Sequence, residues 1–122
     1  MQILRGNIYI GTSIDGVVPT YIGAINRLDD AILELTVLSD NELPTKDAAQ
    51  YYVVFRSLEL KSIRQKVETA DGIRFRVKLP SSVLLKADLY EGQLVILHDD
   101  DYTFRRVSSN VFSFKVNKLL ED

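Results

Sequence analysis

The feature that most constrains this chain is the run Ile73-Arg74-Phe75-Arg76-Val77-Lys78-Leu79, in which apolar and cationic residues alternate without a break. Successive side chains of a strand point to opposite faces, so this period of two predicts a half-buried strand. Ile73, Phe75, Val77 and Leu79 form the expected inward set. Arg74, Arg76 and Lys78 form the wet one. Asp71-Gly72 ahead of the run is a turn signal, and Pro80 ends it. A chain that holds such a strand needs a sheet around it and an apolar layer beneath.

The rest of the sequence supplies both. Residues 6–10 and 21–25 read as strands, the second the weaker. Ala31 to Val37 places Leu33, Leu35 and Val37 on one face. Tyr51 to Phe55 and Leu94 to Leu97 are apolar on both faces, as central strands are. Ser62 to Glu68 alternates loosely, with Ile63 and Val67 inward. Residues 102–106 and 111–116 read as a closing hairpin, with Phe112, Phe114 and Val116 inward. Turn clusters separate these runs at Asp15-Gly16, Ser39-Asp40-Asn41, Asp71-Gly72, Glu91-Gly92, Asp99-Asp100-Asp101 and Ser108-Ser109-Asn110. About eight short strands at roughly ten-residue spacing, without crossover helices, predict an all-β fold. The expected architecture is an antiparallel two-sheet β-sandwich, immunoglobulin-like or jelly-roll-like. One short helix is expected over residues 81–87, behind a serine cap. Residues 1–117 make the expected single domain. Residues 118–122 are a tail or the start of a linker helix.

Composition narrows the function more by exclusion than by assignment. The chain has 122 residues and no cysteine, so disulfides, thiolate metal sites and cysteine nucleophiles are absent. Lys and Arg number 15 against 17 Asp and Glu, a formal charge of −2, whereas a generic nucleic-acid binder is clearly basic. Residues 1–61 hold 5 basic and 8 acidic groups, and residues 62–122 hold 10 and 9. No apolar run approaches the roughly 20 residues of a membrane span, and the first residues lack a secretory signal pattern.

The candidate chemistry is sparse. His98 precedes Asp99, Asp100 and Asp101. Several oxygens in one loop suit a hard cation, but the spacing of a calcium loop is missing, so an acidic hairpin loop is the plainer reading. Asp29 and Asp30 could pair for acid–base work, yet neighbours on a strand face opposite ways, which favours a turn. A hydrolase triad would rest wholly on His98, and neither a nucleophile-elbow pattern nor a phosphate loop occurs. No cofactor and no catalytic residue is expected. The cations Arg74, Arg76 and Lys78, about 7 Å apart along one face, could track phosphates, though no aromatic is interleaved for stacking. They could equally pair with carboxylates of a neighbouring strand or of a partner protein. Tyr51, Tyr90 and Tyr102 join them as a possible interaction surface, because tyrosine combines contact area with a polar tip.

The assembled motifs resemble one known family, the phage baseplate upper proteins of siphophages, whose N-terminal domain is a β-sandwich of this length. Asn26-Arg27-Leu28-Asp29-Asp30 leads into the apolar strand Ala31 to Leu38, and Glu42-Leu43-Pro44 supplies a polar stretch. Tyr52 to Phe55 is the second apolar strand. Phe75 to Leu79, its Pro80 exit and Leu84 match the alternating strand, and Phe112-Ser113-Phe114-Lys115-Val116 the final one. The likeness covers roughly residues 20–117. It implies a structural role without catalysis. The domain would attach to other phage tail or baseplate proteins, form a homo-oligomer, and belong to the virion tail. Residues 117–122 would begin the helix that follows. Two other readings stay open from the residues themselves: a sandwich that binds carbohydrate or a host surface polymer, and a nucleic-acid-binding barrel that uses the cationic strand.

Overall fold

A computed structural model describes residues 2–10, 20–39, 49–58, 62–84, 86, 88–99 and 104–118. Its elements in chain order are β1 (Gln2–Ile10), β2 (Thr20–Asn26), β3 (Ala31–Ser39), β4 (Ala49–Arg56), β5 (Ile63–Lys66), β6 (Glu68–Thr69) and β7 (Arg74–Lys78). Then come α1 (Ser81–Leu84), β8 (Asp88–Asp99), β9 (Phe104–Ser108) and β10 (Phe112–Asn117). One sheet has the order β1-β3-β7-β6, and the other β2-β10-β8-β4-β5, with β9 also paired to β8. The expected all-β, sandwich-like fold is therefore observed.

Alternation predicts the faces well. In β3, Ala31, Leu33, Leu35 and Val37 are buried, and in β7 Phe75 and Val77 are. They meet Tyr51, Val53 and Phe55 of β4, Tyr90, Leu94 and Ile96 of β8, and Phe112, Phe114 and Val116 of β10. Each such side chain contributes about 1.5–3 kcal/mol by leaving water. Phe114 anchors the aromatic part of this core. Its ring centroid lies 5.6 Å from that of Tyr90, 6.0 Å from Phe55 and 6.5 Å from Phe112, within the range where rings attract. Gly92 faces Phe112 across the ladder, and any Cβ at Gly92 would fall on the Phe112 ring.

Four expectations need correction. The sheets are mixed: β1 runs parallel to β3 and β2 parallel to β10. Between β1 and β3 the chain visits the other sheet as β2, which supplies the long crossover that parallel neighbours require. Second, Ile73 lies outside the core, 47% exposed, while Leu79 beyond the strand end is 2% exposed. The Asp71 carboxylate explains the shift. Its Oδ1 accepts the N–H groups of Ile73 at 2.9 Å and Arg74 at 2.8 Å, so the turn occupies Ile73 and the strand begins at Arg74. Third, β9 and β10 do not form a hairpin. Both run antiparallel to β8, one after the other. Ser108 faces Val95 and Phe112 faces Gly92, so residues 109, 110 and 111 stand against 93 and 94. One strand has one residue too many, and a bulge results. Fourth, the described helix is one turn, Ser81–Leu84, closed on the Pro80 carbonyl by the N–H groups of Val83 and Leu84. The turn signals at Asp15-Gly16 and Asp40-Asn41 and the Glu42-Leu43-Pro44 stretch lie outside the described residues.

Candidate functional site

The outer face of the first sheet carries the cations. Register sets Arg76 opposite Glu34, Arg74 opposite Thr36 and Lys78 opposite Ile32, while on the far side of β3 Arg5 stands opposite Glu34. All four cations are exposed. Glu34 serves two of them: its carboxylate accepts from Arg5 Nε at 2.9 Å and pairs with Arg76 Nε at 3.5 Å. Surface pairs of this kind contribute at most about 1 kcal/mol. Arg74 lies in the field of the Asp71 carboxylate. That carboxyl is held below its ordinary range, first by the Arg74 N–H and then by that of Ile73. Among the described residues no ion pair involves Lys78. The cross-strand pairing expected for the stripe is thus present: Arg76 stands in register between Glu34 of β3 and Glu68 of β6.

The tyrosines divide differently from the sequence reading. Tyr51 and Tyr90 are core residues, 7% and 0% exposed, and form no surface. Tyr51 packs its ring against Phe75 at 5.0 Å, and burial pushes its phenol pKa up. Tyr90 donates from its hydroxyl to the Lys86 carbonyl at 3.1 Å. Alternation sends both inward with their strands, and the polar tip does not reverse that. Tyr102 lies outside the described residues. The exposed aromatics are instead Tyr21 and Tyr9, 57% and 38% exposed. On the second sheet the half-buried Tyr52 carries the Arg64 guanidinium 4.8 Å above its ring.

Tyr9 of β1 and Tyr21 of β2 lie on the outermost strands of the two sheets and line one groove. This open groove, of about 460 Å³, is lined by Arg5, Gly6, Asn7, Tyr9, Thr20, Tyr21 and Ile22. Its end is tied by two polar residues that are buried, Ser109 and Asn110. Asn110 Oδ1 accepts the Tyr9 N–H at 2.9 Å, and the Asn110 N–H donates to the Tyr9 carbonyl, also at 2.9 Å. Its Nδ2 donates to Thr20 Oγ1 at 3.3 Å. Ser109 Oγ accepts the Leu94 N–H at 3.0 Å and donates to the Asn110 carbonyl at 2.8 Å. The bulge between β9 and β10 therefore links β1 of one sheet to β2 and β8 of the other. Sequence reasoning took Ser108-Ser109-Asn110 for a surface turn. The small polar residues between two strand-forming runs were the available signal, but nothing local tells an exposed turn from a buried bulge.

The remaining candidates carry no assembled chemistry. Asp29 and Asp30 are exposed in the turn between β2 and β3, where Asp29 donates its N–H to the Asn26 carbonyl at 3.3 Å. His98 sits in β8 opposite Ala49 and Arg105, half-buried, with its Nδ1 unpartnered. Asp100 and Asp101 lie outside the described residues. Among those described, no group of three or more His, Asp or Glu could hold a metal ion, and no helix is long and apolar enough to cross a membrane.

No family model matches this chain, and no curated protein matches it. Among solved structures, the N-terminal domain of ORF48 of phage TP901-1 is similar, with a TM-score of 0.66 at 12% sequence identity over 93% of this chain and 98% of that one. At that identity the likeness is one of fold, and at that level it bears out the resemblance read from the sequence.

Proposed function

We propose that this chain is a non-enzymatic assembly domain of a phage tail baseplate that binds other proteins through its outer sheet surfaces. The observation that carries the reading is the near end-to-end likeness of fold to a phage protein domain, the N-terminal domain of ORF48 of phage TP901-1, which agrees with the resemblance of the motifs to phage baseplate upper proteins. The surface chemistry agrees with it. Arg5, Arg74, Arg76 and Lys78 stand exposed on one sheet face with Glu34 between them, and that face suits a carboxylate-bearing protein surface. Single exposed pairs are weak, and a tail that holds several copies sums them. In this reading the protein resides in the virion tail as a homo-oligomer, and its partners are other tail or baseplate proteins.

The other readings have narrower support. Carbohydrate binding relied on surface tyrosines: Tyr51 and Tyr90 are in the core, and Tyr9 and Tyr21 at the groove are the exposed ones left to it among the described residues. Nucleic-acid binding relied on the strand of Arg74, Arg76 and Lys78, where Glu34 already engages Arg76 and the outward residues 74, 76 and 78 include no aromatic.

Immunogold labelling of particles from the phage or lysogen that carries the gene tests the proposal. Label is expected at the tail tip. The triple substitution Arg74→Glu, Arg76→Glu, Lys78→Glu is expected to fold, melting within a few degrees of the parent, and to be lost from particles. Unlabelled tails, or incorporation of the triple variant at the parental level, overturn the reading. Salt-dependent binding to duplex DNA would transfer it to nucleic acid.

A further inference from the structure

The two sheets end side by side. β1 is the outermost strand of one and β2 of the other, while the opposite edges are β6, of two residues, and β5, of four. Short edge strands are a common protection against unwanted strand pairing. β2 has another protection. Tyr21 faces Ser113 and Ala24 faces Lys115, so residues 22 and 23 stand against residue 114 alone, and Gly23 has a φ of 131°. A bulge of this kind bends an edge away from a straight partner. β1 has neither protection. It is nine residues long and keeps unbroken register with β3 from Gln2 to Ile10.

Which main-chain groups of β1 are free follows from ladder phase. In a parallel pair, alternate residues turn both N–H and C=O toward the neighbour, and the residues between turn both away. Tyr9 sets the phase, since its N–H and C=O are both taken by Asn110. Ile3, Arg5 and Asn7 share that phase. Their N–H and C=O groups point away from β3, and among the described residues they have no partner. Arg5 and Asn7 line the groove together with Gly6 and Ile22. A Cβ at Gly6 would strike the Ile22 side chain, so β2 packs against β1 here, and among the described residues no strand pairs with this edge of β1. The free run from Ile3 to Asn7 is about 13 Å long.

We propose that β1 is a docking edge for an extended acidic segment of another protein, added as a strand beside Ile3 to Asn7 with a carboxylate opposite Arg5. Backbone pairing supplies the contact and the flanking side chains supply selection. The charge follows from the row that the new strand would extend, which reads Glu68, Arg76, Glu34, Arg5 across β6, β7, β3 and β1, so that signs alternate and a cation stands last, at the edge. A second copy of this chain fits poorly. The two-fold antiparallel pairing that uses all three free residues sets Ile3 against the copy's Asn7 and Arg5 against its own counterpart, and like charges directly opposite destabilise a pair. This inference rests on ladder geometry and does not require the phage-tail reading, so either can fail alone.

Amide exchange followed by NMR tests it. In the free protein the amides of Ile3, Arg5 and Asn7 should exchange fast, and those of Leu4, Gly6 and Ile8 slowly. The probe is an end-blocked nonapeptide of alternating threonine and valine with aspartate at its centre. It should slow exchange at Ile3, Arg5 and Asn7 at least tenfold, and the same peptide with central lysine should need at least tenfold more for the same effect. Asn7→Pro removes an N–H outside the β3 ladder, a place where an edge strand tolerates proline, and should abolish the response while the fold is kept. Should that variant not fold, Arg5→Glu should reverse the preference between the two peptides. Slow exchange at the three amides in the free protein overturns the proposal. So does no response to the aspartate peptide, equal response to both peptides, or a response centred on Arg74 to Lys78. Concentration-dependent dimers that protect the same amides would assign the edge to a second copy and also overturn it.

Discussion

Replacing Asn110 by alanine probes the link between the sheets most directly. Asn110 is 7% exposed, and its side chain makes two hydrogen bonds, from the Tyr9 N–H at 2.9 Å and to Thr20 Oγ1 at 3.3 Å. A typical bond contributes about 1 kcal/mol net, and the longer one about half that. The larger consequence is that the Tyr9 N–H loses its acceptor. An orphaned buried donor costs about 1–3 kcal/mol, and the lower end applies because Tyr9 lies at a half-open rim where water can reach. The sum is about 2–3 kcal/mol, a large share of a stability near 5–15 kcal/mol. For a domain of this size that lowers Tm by roughly 8–12 °C. Urea unfolding followed by circular dichroism should show the midpoint shifted and the slope unchanged. The control is Thr20→Ala, which removes only the long bond and should cost under about 1 kcal/mol. A loss below about 0.5 kcal/mol for Asn110→Ala, or equal losses for both variants, would refute the assignment of the cost to the Tyr9 amide.

Three further outcomes concern β7 and the turn before it. Phe75→Asp places an unpaired charge where Phe75 is 2% exposed and should leave no soluble folded protein, since truncating a buried phenylalanine alone costs about 3–5 kcal/mol. Ile73→Asp at a site 47% exposed should change stability by no more than about 1 kcal/mol in thermal melts, and insoluble protein would show that the side chain is inward after all. Asp71 has a folded pKa below its ordinary value of 3.8. Its charge therefore adds stability above that pH, and the contribution is lost as pH falls through the folded value. Asp71→Asn should melt below the parent at neutral pH, with the gap narrowing in acid. A gap that stays constant down to about pH 2 would place its cause outside the charge.

Faces were legible in the sequence because alternation is local. Leu33, Leu35, Phe75 and Val77 announce their side of the sheet within a few residues, and Asp71-Gly72 announces its turn. Ile73 failed because alternation continues through a turn as readily as through a strand, and only the Asp71 hydrogen bonds say where pairing begins. Tyr51 and Tyr90 failed for a related reason. Residue type suggested a surface, but each sits in phase with buried neighbours on β4 and β8, and phase prevails. Neighbour and direction were not legible at all. Nothing in residues 2–10 states that their partner is β3, reached only after the chain has crossed to the other sheet.

The same distinction governs the cationic face and the open edge. That Arg74, Arg76 and Lys78 share a face follows from counting by two. That Glu34 lies between Arg76 and Arg5 requires the register of β1, β3 and β7, set by partners far apart in sequence. The pairing changes what the stripe is. It is part of a row that runs from Glu68 through Arg76 and Glu34 to Arg5 and stops at a strand edge that is unpaired among the described residues. A carboxylate placed beyond Arg5 would continue the alternation of charge that runs from Glu68 to Arg5, while Lys78, without an ion pair among the described residues, stays open to one laid over β7. The cationic face and the edge of β1 are thus adjoining parts of one charged surface, and the main-chain groups of Ile3, Arg5 and Asn7, without a partner among the described residues, lie where extension of the sheet needs them.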